Sequence, residues 1–135
     1  MARYLLDSNA FLNLQDSPQA IRKEARSAIV DTGNTLFVSL ASLWEMAIKT
    51  ANGKLPSYAR LIANGPTFLE DSLRDSNFTF LPIVLRHALA AAALPQHHRD
   101  PFDRMLIAQA LDEGLILITS DRVFARYPGV KLLAA

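Results

Sequence analysis

The sequence contains no cysteine. Disulfides are therefore excluded, and so is any zinc site built on thiolates. Such a composition suits a reducing cytosol. No apolar run approaches the ~18 residues of a membrane span. The chain starts directly on the strand-like Tyr4-Leu5-Leu6, without the hydrophobic region of a signal peptide. The expectation is a cytoplasmic protein with no membrane contact. Charge excess is also missing. Fourteen basic and 13 acidic residues leave a net charge of +1, too little to hold nucleic acid by charge alone. There is no G-x-G-x-x-G, no Walker-type glycine loop and no G-x-S-x-G. Gly53-Lys54 lacks the rest of a phosphate loop.

What is present is a globular composition: 135 residues, half of them hydrophobic and 20% charged. That length fits a single domain, residues 1–135, with a sizeable core. A mean hydropathy of +0.13 is high for a small soluble monomer. A partner or a self-interface covering apolar surface is the corresponding expectation.

Short apolar runs alternate with helical periodicity. Strands are expected at Arg3–Asp7, Thr35–Val38, Phe78–Leu81 and Leu115–Ile118, with Val130–Leu133 as a possible last edge. Ser8–Leu14 reads as a short helix or turn, and Pro18–Val30 as a helix. Ser39 or Ser42 opens a helix to about Ala51, whose stripe is Leu40, Leu43, Trp44, Ala47, Ile48 and Ala51. Lys54–Gly65 reads as a loop and a short helix, followed by helices over Pro66–Arg74 and Ile83–Leu94. Asp100-Pro101 is a cap followed by proline at the first helical position. That helix stops at Gly114, and Asp121–Tyr127 forms a helical turn. Strands alternating with helices imply an α/β fold: a central parallel sheet of four to five strands with helices on both faces.

In such a sheet, ligands bind beyond the carboxyl ends of the strands. Four acids fall there: Asp7 after the first strand, Glu45 in the helix after the second, Asp103 in the first turn of its helix, and Asp121 after the fourth strand. Asp103 also lies on the apolar arc of its helix, where an ionised group is costly unless paired or bound to a metal. Converging carboxylates need a cation, and hard oxygen donors suit Mg²⁺ or Mn²⁺ better than zinc. Each acid also has a plain structural role to play. Asp7 and Asp121 suit turn caps, and Ser42-Leu43-Trp44-Glu45 matches a capping box. Glu45 precedes Lys49 by four residues, in the favoured order for an ion pair. Asp103 suits the third position of its helix. His97 and His98 read as an exposed polar loop whose adjacent side chains diverge. Trp44 reads as core. Arg104 and Arg122 each follow a candidate acid and are candidates for substrate phosphate.

Four stretches carry a resemblance that covers nearly the whole chain. They are Leu5-Leu6-Asp7-Ser8-Asn9; Ser39 to Lys49; His98 to Ala110; and Leu117-Ile118-Thr119-Ser120-Asp121. In this order and spacing the chain resembles the PIN-domain ribonucleases, and within them the VapC-like toxins of bacterial type II toxin–antitoxin pairs. The resemblance implies a PIN-like fold. It places metal-binding, catalytic acids on Asp7, Glu45 and Asp103, with Asp121 as a fourth, more variable member. Ser8 stands where the family often has threonine, and Asn9 matches a polar residue supporting the first acid. Asp100 is an extra acid, assigned to capping or to support of the ligands. The implied activity is Mg²⁺- or Mn²⁺-dependent endonucleolytic cleavage of RNA. The implied partners are a cognate antitoxin and a second copy of the chain, and the helices between Leu40 and Leu73 either form a partner groove or complete the core. The rival readings are a catalytically silent module that binds RNA or protein, and a phosphate-transfer domain using one acid as nucleophile.

Overall fold

A computed structural model describes residues 1–135. Five strands form one sheet: β1 (Arg3–Leu6), β2 (Thr35–Ser39), β3 (Phe78–Leu81), β4 (Ile116–Thr119) and β5 (Lys131–Ala134). Their order is β3-β2-β1-β4-β5, and every neighbouring pair is parallel. The expected α/β class is what the chain adopts, with five strands. The strands are short because each is a run of four or five mostly apolar residues, as a sheet covered on both faces requires.

Seven helices connect the strands: α1 (Ser8–Asp16), α2 (Lys23–Val30), α3 (Leu40–Ala51), α4 (Pro56–Ile62), α5 (Gly65–Asp75), α6 (Leu85–Ala93) and α7 (Pro101–Glu113). Side-chain alternation divides the apolar residues into two layers. Leu6, Leu36, Val38 and Ile118 pack with Phe11, Ile29, Met46 and Tyr58. Leu5 and Leu117 pack with Leu106, Ile107, Phe124 and Tyr127. Leu5, Leu6, Leu117 and Ile118 are fully buried, each worth about 2 kcal/mol in transfer out of water.

Several boundaries differ from the sequence expectation. The Pro18–Val30 stretch divides into a 3-10 turn, Pro18–Ala20, and α2, because Ile21 is extended (ψ 136°). Ser39 caps α3, its Oγ accepting from Ala41 N at 3.0 Å, so the alternative start at Ser42 is not used. The Ser42–Glu45 capping box is therefore not formed, and Ser42 Oγ is buried without a hydrogen-bond partner. The ambiguous 54–65 stretch holds α4, entered through Leu55 in the left-handed region (φ 56°). Asp100 caps α7 through Phe102 N at 2.9 Å, and Gly114 ends it at φ 65°, as the sequence predicts.

The chain leaves β1 for β2 on one side and reaches β4 on the other. The crevice beyond the carboxyl ends of β1 and β4 is thus the topological switch point, the expected ligand position in an open parallel sheet.

Candidate metal centre

Asp7 is the first residue beyond β1 and the cap of α1. Its Oδ1 accepts from Ala10 N at 2.8 Å, and its Oδ2 accepts from the Thr119 hydroxyl at the end of β4. Thr119 Oγ1 in turn accepts from Asp121 N at 3.0 Å, so one hydroxyl ties the two strand ends together. Asp121 caps the 3-10 turn Arg122–Arg126 through Val123 N at 2.9 Å. Glu45 reaches across from α3. Its Oε1 accepts from Ser8 Oγ at 2.6 Å and its Oε2 lies 3.8 Å from Lys49 Nζ. Asp103 enters from the first turn of α7.

These contacts make the capping roles of Asp7 and Asp121 real, as is the Glu45–Lys49 pair. They coexist with convergence: Asp7, Glu45, Asp100, Asp103 and Asp121 all line one cleft of about 140 Å³, with Ser8, Asn9 and Lys49 and no hydrophobic residue. Five carboxylates thus face one ammonium. All four sequence-predicted acids are brought together, and Asp100, expected to cap or support, caps α7 and also lines the cleft.

The electrostatics follow. Burial raises the Asp7 carboxyl, against the lowering effect of Thr119 and Ala10 N, and Asp121 and Glu45 raise it further. Asp103 is pushed up to about 7 by burial and then by Asp100, with Glu45 and Asp7 adding to the effect while His98 opposes it. Asp121 is held below the ordinary range: burial opposes this, but the Val123 amide and His98 prevail.

A pH dependence results. Asp103 and Asp7 bind protons more tightly folded than unfolded, so their contribution to stability is complete below pH ~3.8 and is lost as pH rises through about 7. Chelator-treated protein is expected to lose thermal stability between pH 5 and pH 8. Mn²⁺ or Mg²⁺ is expected to raise the melting temperature more at pH 8 than at pH 5, since the ion competes with those protons. Equal stabilisation at both pH values in a melting series would contradict this.

Three sequence expectations need correction. His98 is not an exposed loop residue. Its Nε2 lies 2.9 Å from Asp121 Oδ2 and 3.3 Å from Asp103 Oδ2, and its side chain is 15% exposed. Nothing in local periodicity marks it, because Asp121, Phe124 and Tyr127 lie 23 to 29 positions further along the chain. Only His97 of the pair is exposed. Arg104 does not face a substrate phosphate. Its guanidinium is buried and donates to the carbonyls of Ala91, Leu94 and Pro95 at 2.8–2.9 Å, and to Ala92 and His98 at longer range. Arg122 is exposed and lines, with Arg22, a groove adjoining Asp121. Trp44 is 58% exposed rather than core, edge-on to Phe102 with ring centroids 5.3 Å apart.

A second histidine–carboxylate group lies at the other end of α7, where His87 Nε2 meets Glu113 at 3.0 Å and Asp112 at 3.2 Å. There His87 Nδ1 accepts from Val84 N and Arg86 covers both carboxylates. That group clamps α6 to α7.

The fold and the cleft together define a doubly wound α/β protein with a carboxylate cluster at its switch point. The chain belongs to the PIN domain family, which it matches over residues 4–130. Solved structures show the same fold. VapBC2 from Rickettsia felis, bound to a DNA fragment from its promoter, aligns with a TM-score of 0.68 at 16% identity over 98% of both chains. DNA-bound VapBC from Salmonella typhimurium aligns with a TM-score of 0.65 at 19% identity, over 99% of this chain and 98% of that one. A toxin–antitoxin complex from Klebsiella pneumoniae reaches 25% identity with a TM-score of 0.57 over 94% of each chain. No curated protein matches the sequence significantly.

Proposed function

We propose that this chain, as a single nuclease domain over residues 1–135, is a Mg²⁺- or Mn²⁺-dependent endoribonuclease and the cytoplasmic toxin of a bacterial toxin–antitoxin pair. The observation that carries the reading is the convergence of Asp7, Glu45, Asp103 and Asp121 in a cleft with no hydrophobic residue and one lysine. The donor set fits a divalent ion: carboxylate oxygens on rigid elements, with two carboxyls raised in part by their neighbours. When bound, such an ion supplies a water of lowered pKa and stabilises charge developing at phosphorus.

The protein's own part is positioning. Thr119 and Ala10 N fix the two Asp7 oxygens. Ser8 orients Glu45, and Lys49 balances part of the charge at the mouth of the cleft. The catalytic acids need no side-chain nucleophile beside them, in keeping with the absence of cysteine and of a serine motif.

The partner reading rests on the family and on an apolar groove of about 360 Å³ between α3, α4 and α5, whose walls include Leu40, Trp44, Ile62, Leu69 and Phe80. Of these, Leu40, Trp44 and Phe80 are exposed. A cognate antitoxin segment or a second copy of the chain would cover such a surface. No helix is long and apolar enough to cross a membrane.

The purified chain is expected to cut single-stranded RNA internally with Mg²⁺ or Mn²⁺ and to stop on chelation. RNA binding without turnover across varied substrates would instead make it a catalytically silent module.

A further inference from the structure

His98 is too well held to be incidental. Its backbone N–H donates to Tyr127 Oη at 2.7 Å, and its carbonyl accepts from Arg104 Nη1 at 3.2 Å. Its ring lies against Phe124 with centroids 5.3 Å apart. These contacts fix the imidazole so that Nε2 meets one oxygen each of Asp103 and Asp121, and all three atoms lie within 4.8 Å of one another. The two separations from Nε2, 3.3 and 2.9 Å, have a simple meaning. Ligand atoms at right angles around an ion, each about 2.1 Å from it, are about 3 Å apart. Both separations from Nε2 match that spacing, and without an ion the shorter one is a hydrogen bond between Nε2 and Asp121. His98 Nδ1 makes no hydrogen bond within the protein, so it is free to carry the ring proton when Nε2 is a ligand.

Resting on the metal-dependent reading above, we propose that His98 Nε2 is a nitrogen ligand of the ion held by Asp103 and Asp121, and that it makes this position select Mn²⁺ over Mg²⁺. Mg²⁺ binds through oxygen and gives up water reluctantly, whereas imidazole favours divalent transition ions. A site of carboxylates alone discriminates less. The opposing account is a histidine that only balances the charge of the acids. That account requires no metal–nitrogen bond.

Pulsed electron paramagnetic resonance of Mn²⁺-loaded protein, without RNA, separates the two. Strong ¹⁴N modulation on the bound Mn²⁺ is expected in the wild type and should vanish in His98→Gln. Titration should show Mn²⁺ affinity falling about tenfold in that variant, within the range for altered metal surroundings, and Mg²⁺ affinity changing less than about threefold. If His98→Gln proves unstable, the wild-type spectrum decides alone. Mn²⁺ bound without nitrogen coupling, or equal losses for both ions, overturns the proposal and leaves the nuclease reading standing. Failure to bind either ion overturns both.

Discussion

Asp7→Asn is expected to lower metal-dependent RNA cleavage by about 10³-fold while leaving the fold intact. The size follows from the several kcal/mol of transition-state charge stabilisation that a bound ion provides, at 1.36 kcal/mol per tenfold in rate. The fold survives because asparagine still caps α1. Its carbonyl oxygen can accept from Ala10 N as Asp7 Oδ1 does. The substitution also removes a buried charge facing Glu45 and Asp121, both of which disfavour ionisation of Asp7. Metal-free Asp7→Asn should therefore melt at or above the wild-type temperature, and its Mn²⁺-induced stabilisation should shrink. In a bacterial host expressing the chain alone, the wild type should arrest growth with loss of RNA and the variant should not. A variant that keeps wild-type cleavage would reduce Asp7 to a helix cap.

The largest effect on stability is expected from Arg104→Ala. The α6 helix ends at Ala93, and the only backbone donor from beyond it to the carbonyls of its last turn is Leu94 N, 3.4 Å from Ala91 O. Arg104 supplies donors to Ala91 and Ala92 of that turn and to Leu94, Pro95 and His98 beyond it. A cation at a helix carboxyl end is also favoured by the helix dipole. Removing the guanidinium leaves the carbonyls of Ala92, Leu94 and His98 unpaired, while Ala91 and Pro95 keep Leu94 N and Tyr127 Oη, at a cost of about 3 kcal/mol. For a chain of this size that is a fall in Tm of roughly 10 °C. Arg104→Lys should recover part of it, because an ammonium offers fewer donors in a less fixed geometry. Thermal unfolding of both variants checks this, and a shift below about 2 °C for Arg104→Ala would contradict the clamp. Metal affinity should fall as well, since the same clamp fixes the carbonyl of His98.

The residues that could be read from the sequence are those whose role is local. The strands announced themselves because parallel strands buried on both faces are plain apolar runs. Asp7, Glu45, Asp103 and Asp121 could be placed at one edge because each follows a strand or opens a helix there. The α7 helix carries both its signals, Asp100-Pro101 and Gly114, within its own few residues. What failed was non-local. His98 meets Asp121 across 23 positions and Tyr127 across 29, and no periodicity encodes either. Arg104 looked like a phosphate ligand because it follows an acid, but its partners lie up to 13 positions away on another helix. The α3 stripe was misplaced beyond Trp44: of its six residues only Leu43 is buried, Leu40, Ile48 and Ala51 are exposed with Trp44, and the buried face carries Ala41, Ser42 and Met46 beside Leu43, since hydrophobic spacing identifies a face without showing what, if anything, covers it. Around Leu55 the positive φ broke the pattern at a residue type that rarely adopts it.

The hydroxyl bridge between Thr119 and Asp7 joins residues 112 positions apart. The central strand β1 likewise receives its β4 neighbour only after most of the chain has been made. Contacts of such separation form late and slowly, because the intervening chain must first be ordered. During synthesis, the first two strands and the acids at positions 7 and 45 emerge early, yet the cleft lacks a wall until residue 121 is free of the ribosome. On the proposed nuclease reading, a growing chain thus lacks the complete cleft, which closes in one late step, after the α3–α5 surface proposed for a partner has already been translated.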